Sequence, residues 1–210
     1  MRRFFLISIA GILFLIACSS QKSPTAANFT KAINQYLAKH GDACTVIGHQ
    51  FPVDVSKSEQ RLQSGIALQM AALEQAGVVR SSDAIAVVHG FLDPLRGSTL
   101  PQPVKRYELT EEGKRYFRQT SGAFGQTDSF CYGQKTVDSI VKWTEPMTMG
   151  ASSQTEVTYT YKIVAPANWA ENPTVQRVFS DVRTTLTGAS NTPQVAGLQL
   201  TDRGWEVPGQ

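Results

Sequence analysis

Between Thr155 and Val164 the side chains alternate: Val157, Tyr159, Tyr161 and Ile163 are apolar or aromatic, and Thr158, Thr160 and Lys162 separate them. Successive side chains of an extended chain point to opposite faces, so this period of two predicts a half-buried strand. The flanking residues supply its neighbours. Lys135 to Trp143 is strand-like, and Thr144 to Gln154, with Pro146, Gly150, Ser152 and Ser153, predicts a hairpin connection. Val195 to Leu200 and Trp205 to Val207 form a closing hairpin around Asp202-Arg203-Gly204. Asn172 can cap a helix with Pro173 in its first turn, followed by Val175, Val178, Phe179, Val182 and Leu186. Residues 120–210 therefore read as an antiparallel sheet with a packed helix.

The first half is patterned differently. Phe29, Ile33, Tyr36 and Leu37 are spaced for a helix over Asn28 to Lys39, with Asn28 as its cap. Cys44 to Val55 predicts a short strand or extended connection. A longer helix is expected over Ser58 to Ala76, with Leu62, Ile66, Met70 and Leu73 as its core-facing stripe and Gly77 in its final turn. Ala84 to Val88 reads as a strand and the Pro- and Gly-containing stretch Leu92 to Pro103 as an exposed loop. Val104 to Leu109 resumes extended structure, and Thr110 can cap a short helix through Phe117.

This order, with Ala72-Leu73-Glu74-Gln75-Ala76-Gly77-Val78-Val79 closing a helix and Tyr107-Glu108-Leu109-Thr110-Glu111-Glu112-Gly113 following a loop, resembles the winged helix of bacterial transcriptional regulators over Phe29 to Gln119. The resemblance implies a winged-helix-like α+β unit at residues 28–119. Gln119 to Ser129, rich in Gly, Ser, Thr and Gln, marks a candidate boundary with the second α+β unit. Regulators of this kind lay a basic helix in the major groove, whereas Arg61 to Ala76 carries one basic residue, Arg61, alongside Glu74. The fold is therefore borrowed without its usual nucleic-acid partner.

Met1-Arg2-Arg3 is a positive start, and the apolar run Phe4 to Ala17 is shorter than the roughly 20 residues of a membrane-spanning helix. Residues 1–17 thus read as an export signal. Its end, Leu15-Ile16-Ala17-Cys18, resembles the lipobox of bacterial lipoproteins. That resemblance implies that Cys18 becomes the first mature residue, carries lipid and tethers the protein to a membrane. Ser19, in place of the Asp that commonly signals inner-membrane retention in such proteins, favours the outer membrane, facing the periplasm. Residues 18–27 are expected to form a tether reaching roughly 30 Å at most.

With Cys18 assigned to lipid, Cys44 and Cys131 remain in a compartment that permits disulfides, and they are expected to pair. His40, Cys44 and His49 lie close in sequence but match no common zinc spacing, so no metal ligands are assigned. His40, His49 and His89 could each act as a base, yet no nucleophile elbow accompanies them, and Gly122 and Gly125 lack the context of a phosphate loop. Glu111-Glu112 fits favourable charge at a helix start. No catalytic residue and no cofactor is assigned. The formal charge of +3 falls by two when Arg2 and Arg3 leave with the signal, which argues against a general attraction to nucleic acid.

Aromatic residues enrich the second half, and Trp143 and Trp205, beside turns, are the first candidates for exposed binding anchors. The loop Asp93 to Pro103 is a second candidate contact surface. The expectation is a noncatalytic, lipid-anchored protein that binds another periplasmic or membrane component. Alternatives are a module for a small envelope glycan or lipid, an envelope hydrolase and, disfavoured by export and charge, a membrane-tethered DNA regulator.

Overall fold

Gly125–Trp143 runs as one strand of 19 residues, and most of the chain is arranged against it. The computed structural model describes residues 20–88, 100–122, 125–150 and 152–209. In chain order the helices are α1 (Ala26–His40), α2 (Lys57–Arg61), α3 (Gly65–Gln75), α4 (Glu111–Tyr116), α5 (Asn168–Glu171), α6 (Pro173–Val178) and α7 (Ser180–Gly188). The strands are β1 (Asp42–Val46), β2 (Val53–Ser56), β3 (Val79–Ala86), β4 (Gln102–Leu109), β5 (Phe117–Gly122), β6 (Gly125–Trp143), β7 (Met147–Met149), β8 (Ser152–Val164), β9 (Gln194–Thr201) and β10 (Gly204–Glu206). The fold is α+β. None of the described helices is long and apolar enough to cross a membrane.

The larger sheet has the order β1-β6-β8-β9-β10, with β5 added to β6 and β7 to β8. Phe130 and Ser129 pair with Thr45 and Val46 of β1 and also with Phe117 and Arg118 of β5, so these two strands flank β6 on opposite edges. Further along, β6 pairs with β8, with register shifts after Val137 and after Ile140. Such irregularities bend a strand and raise its twist. The predicted alternation holds in part in β8: Val157, Tyr159 and Tyr161 are buried and Lys162 is exposed, but Thr160 is buried as well. The Gly/Ser-rich stretch 119–129 folds into the β5–β6 hairpin.

The smaller sheet has the order β2-β4-β3, with α2 and α3 between β2 and β3 in the chain and α4 after β4. This is the winged-helix-like arrangement. Most of the loop expected between its last two strands lies outside the described residues. Two of its expected features are corrected. The helix over Ser58 to Ala76 is two helices, because two serines each start one. Ser56 and Glu59 form a reciprocal capping box at α2, and the Ser64 hydroxyl accepts the Ala67 amide at α3. Between them Gln63 takes a positive φ of 48°. Met70 and Leu73 remain fully buried, but Leu62 is turned out and is 80% exposed. The cap of α1 is Thr25, whose side chain accepts the Asn28 amide.

The second correction concerns what covers the larger sheet. Phe29, Ala32, Ile33 and Leu37 of α1 pack with Val137, Val157, Tyr159, Tyr161, Leu198 and Trp205. Polar contacts fix the register: Asn34 Oδ1 accepts the Val137 amide at 2.8 Å, and Gly41 O accepts the Lys135 amide at 2.8 Å. The first helix thus packs on the larger sheet, and α6 packs beside α3. Val175, Phe179 and Val182 share a core with Met70, Leu73, Val78, Phe130 and Trp169. Side chains from residues 28–119 and from 120–210 therefore meet in both cores.

The Leu109-Thr110-Glu111-Glu112-Gly113 segment has a local physical explanation. The Thr110 amide donates to Val78 O at 3.1 Å, and its hydroxyl donates to Gly77 O at 2.8 Å while accepting the Gly113 amide. These bonds draw α4 onto the turn after α3 so tightly that a Cβ on Gly113 would lie 1.9 Å from Val78 O. The similar Leu200-Thr201-Asp202-Arg203-Gly204 instead turns a hairpin, with Gly204 at a φ of 114°. Gly113→Ala should destabilise the protein by about 2 to 3 kcal/mol, lowering Tm by roughly 4 to 12 °C. Gly197→Ala, where a Cβ meets nothing within 4 Å, should leave Tm close to wild type; calorimetry on both checks the pair.

Candidate functional site

Phe29, fully buried near the start of α1, stands between two indoles. Its ring meets Trp143 edge-on at 5.4 Å and Trp205 at 5.3 Å. Trp205 is 5% exposed, and its Nε1–H donates to Lys22 O at 3.1 Å. The exposed anchor expected at Trp205 is thus corrected: the ring seals α1 against β10, and its polar edge holds the incoming chain. Such an acceptor offsets the cost of burying the indole N–H. Trp143 keeps 42% of its surface exposed.

Docking of the incoming chain extends beyond this bond. Residues 20–22 form a short 3₁₀ turn against β10. A Cβ on Gly204 would lie 3.0 Å from Gln21 O, so the glycine permits both the hairpin's positive φ and this approach. Lys22 lies 4.0 Å from the Asp202 carboxylate. From Ser20 onward the expected tether is therefore laid on the folded body. Cys18 and the export signal lie outside the described residues.

Alongside this dock, α1 and the β9–β10 hairpin enclose a polar groove of about 660 Å³. Lys31, Gln35 and Lys39 line one wall, four residues apart on α1, and Arg203 and Glu206 line the other. The α1 segment contains no acidic residue. Arg203 Nε pairs with Glu206 at 3.1 Å. Lys31 and Lys39 form no ion pair among the described residues. Sequence reasoning missed this groove, although the exposed Lys31-Gln35-Lys39 spacing on an acid-free helix was visible.

Cys44 and Cys131 face one another across β1 and β6 and form the expected disulfide, with S–S 2.06 Å. The bond occupies Cys44, so the thiol that could have joined His40 and His49 around a metal is consumed. No group of three or more His, Cys, Asp or Glu residues suited to a metal occurs among the described residues. His40 stacks on Tyr36 at 4.6 Å, at the last turn of α1, and His49 is exposed at a turn. Glu111 and Glu112 pair with Lys114 and Arg115 on α4. His89 and the loop residues 93–99 lie outside the described residues.

Three further charged groups, Asp54, Asp128 and Glu74, have local structural partners. Asp54 binds Arg106 through two contacts of 2.7 Å between β2 and β4. Buried Asp128 accepts the Phe51 amide and the Gln119 side chain, joining the loop before β2 to the β5–β6 hairpin. Glu74 of α3 accepts from Ser81 and from Lys105, the latter at 2.9 Å. Burial pushes the Glu74 carboxyl up, but the Ser81 and Lys105 hydrogen bonds outweigh it and hold Glu74 below the usual carboxylate range.

There is no Lys or Arg on α3. Leu68, Gln69 and Gln75 instead border a groove of about 430 Å³ shared with Arg177 and Val178 of α6. No protein-family model matches this chain, and no curated protein or solved structure gives a match.

Two stability tests follow. The disulfide closes a separation of 87 residues, for which chain entropy gives about 4 to 5 kcal/mol. Replacing both cysteines by Ala should lower Tm by roughly 8 to 20 °C in calorimetry; an unchanged Tm would contradict a stabilising bridge. Glu74 has a depressed folded-state pKa, so its stabilisation is present above the unfolded carboxyl value and fades as pH falls through the folded one. The Tm gap between wild type and Glu74→Gln should therefore narrow as pH drops below about 4; a constant gap would contradict the depressed pKa.

Proposed function

We propose that the chain is a noncatalytic lipoprotein, anchored through Cys18 in a bacterial membrane with its folded body held close to the anchor, and that it binds another envelope component. The membrane proposed is the outer one, with the body facing the periplasm. The observation that carries this reading is the Trp205-to-Lys22 hydrogen bond. It ties the chain four residues after Cys18 to the folded body. Several acyl chains, at about 0.8 kcal/mol per buried CH₂, hold a protein stably in a bilayer. A body tied so near them searches a thin layer of space, which raises its effective concentration toward a component in that layer. The Cys44–Cys131 bond is in keeping with an oxidising compartment.

Trp143 is the proposed contact for a protein partner. It is the exposed member of the Phe29 aromatic cluster, and packing against that ring restrains it before binding. An indole held in this way contributes area at little entropic cost.

Metabolic labelling with a fatty acid should mark wild type and not Cys18→Ala, and the variant should leave the membrane fraction. Equal labelling of the two would contradict the anchor. A photo-crosslinking residue at position 143 should give one discrete adduct in intact cells, while the same residue at exposed Leu62 gives none; identical patterns would contradict the partner surface.

A further inference from the structure

The groove between α1 and the β9–β10 hairpin is a site with a charge and a direction. Lys31 and Lys39 stand on its α1 wall without an ion-pair partner among the described residues, and α1 contributes no acid to offset them. On the opposite wall Glu206 is engaged by Arg203. At the rim, Lys22 faces Asp202 across 4.0 Å, and both are solvent-exposed. The surplus is therefore positive and concentrated on the two lysines. Gln35 lies between them in the same wall and offers amide hydrogen bonds.

The direction comes from the chain. Gln21 lines the same groove and is the third residue after Cys18, a span of at most about 11 Å. That is close to the screening length of roughly 8 to 10 Å at physiological salt. With Cys18 acylated, the end of the groove at Gln21 would lie within electrostatic reach of the lipid phosphates. Lysine ammoniums bind phosphate as point charges, and an arginine can present a two-pronged donor if it leaves Glu206.

From this geometry we infer that the Lys31–Lys39 groove is a membrane-contact surface that takes the phosphate headgroups of anionic phospholipids in the leaflet holding the anchor. The inference rests on the lipoprotein reading and extends it: the acyl chains supply attachment, and the groove sets which face of the body lies on the bilayer. Basic residues beside a lipid anchor reinforce attachment to anionic surfaces in this manner.

The test uses the full mature protein, reconstituted into vesicles of phosphatidylcholine alone or of phosphatidylcholine with phosphatidylglycerol. A brief pulse of an amine-reactive reagent, read by mass spectrometry, reports each lysine. Lys31 and Lys39 should label at least about threefold more slowly in the phosphatidylglycerol vesicles, with Lys57 and Lys114 unchanged. The protection should vanish in about 1 M salt, where the screening length is about 3 Å. Equal labelling in the two vesicle types overturns the inference. So does equal protection by soluble glycerol phosphate on phosphatidylcholine vesicles, which would make the groove a free-phosphate site. The intact mass of the same sample reads the acyl chains separately. A mass without them sinks the anchor, and protection by added phosphatidylglycerol vesicles would still uphold the groove.

Discussion

The pairing of β6 on both edges is the interaction on which the rest of the structure depends. At about 3.3 Å per residue its 19 residues extend up to roughly 60 Å, longer than either core needs alone. Its first part carries β1 and β5 and brings Phe130 and Tyr132 into the core with α3, α5, α6 and α7. Its second part pairs with β8 and brings Val137 into the core under α1. A register shift against β1 at Tyr132 and two against β8 beyond Val137 bend the strand along its course. The disulfide lies in the first part and joins β6 to β1 at a paired position.

The same strand organises the candidate site at a distance. It positions α1 through the Val137 and Lys135 amides, and α1 in turn presents Phe29 to two indoles and Lys31, Gln35 and Lys39 to the groove. The last hairpin then folds over the start of α1, with Trp205 holding Lys22. The amino-terminal and carboxy-terminal segments of the described chain thus meet at one place. A protein held by lipid at its amino terminus would have its final hairpin, rather than its winged-helix-like unit, at the point of attachment.

Much of the architecture was legible from residues with short-range consequences. The alternation through Tyr159 and Tyr161 marked β8, Thr110 marked the start of α4, and Asn172-Pro173 marked α6. The pairing of Cys44 with Cys131 followed from counting once Cys18 was set aside. The failures share a physical origin in long-range packing. Nothing local says that Phe29 faces Trp205 across more than 170 residues, so Trp205 beside a turn read as exposed. Leu62 fitted the helical stripe, but Ser64 offered a fresh cap and the helix restarted. The groove was missed because its walls come from opposite ends of the chain.

If β6 is the shared element, neither core should persist once the strand is lost. Native-state hydrogen exchange at rising denaturant measures this directly, by following β6 amides at Phe130 and Val137 together with Leu73 in one core and Leu198 in the other. The account predicts that all four converge on one opening free energy and one denaturant slope. Convergence of Leu73 and Phe130 on one value, and of Val137 and Leu198 on a clearly different one, would contradict it.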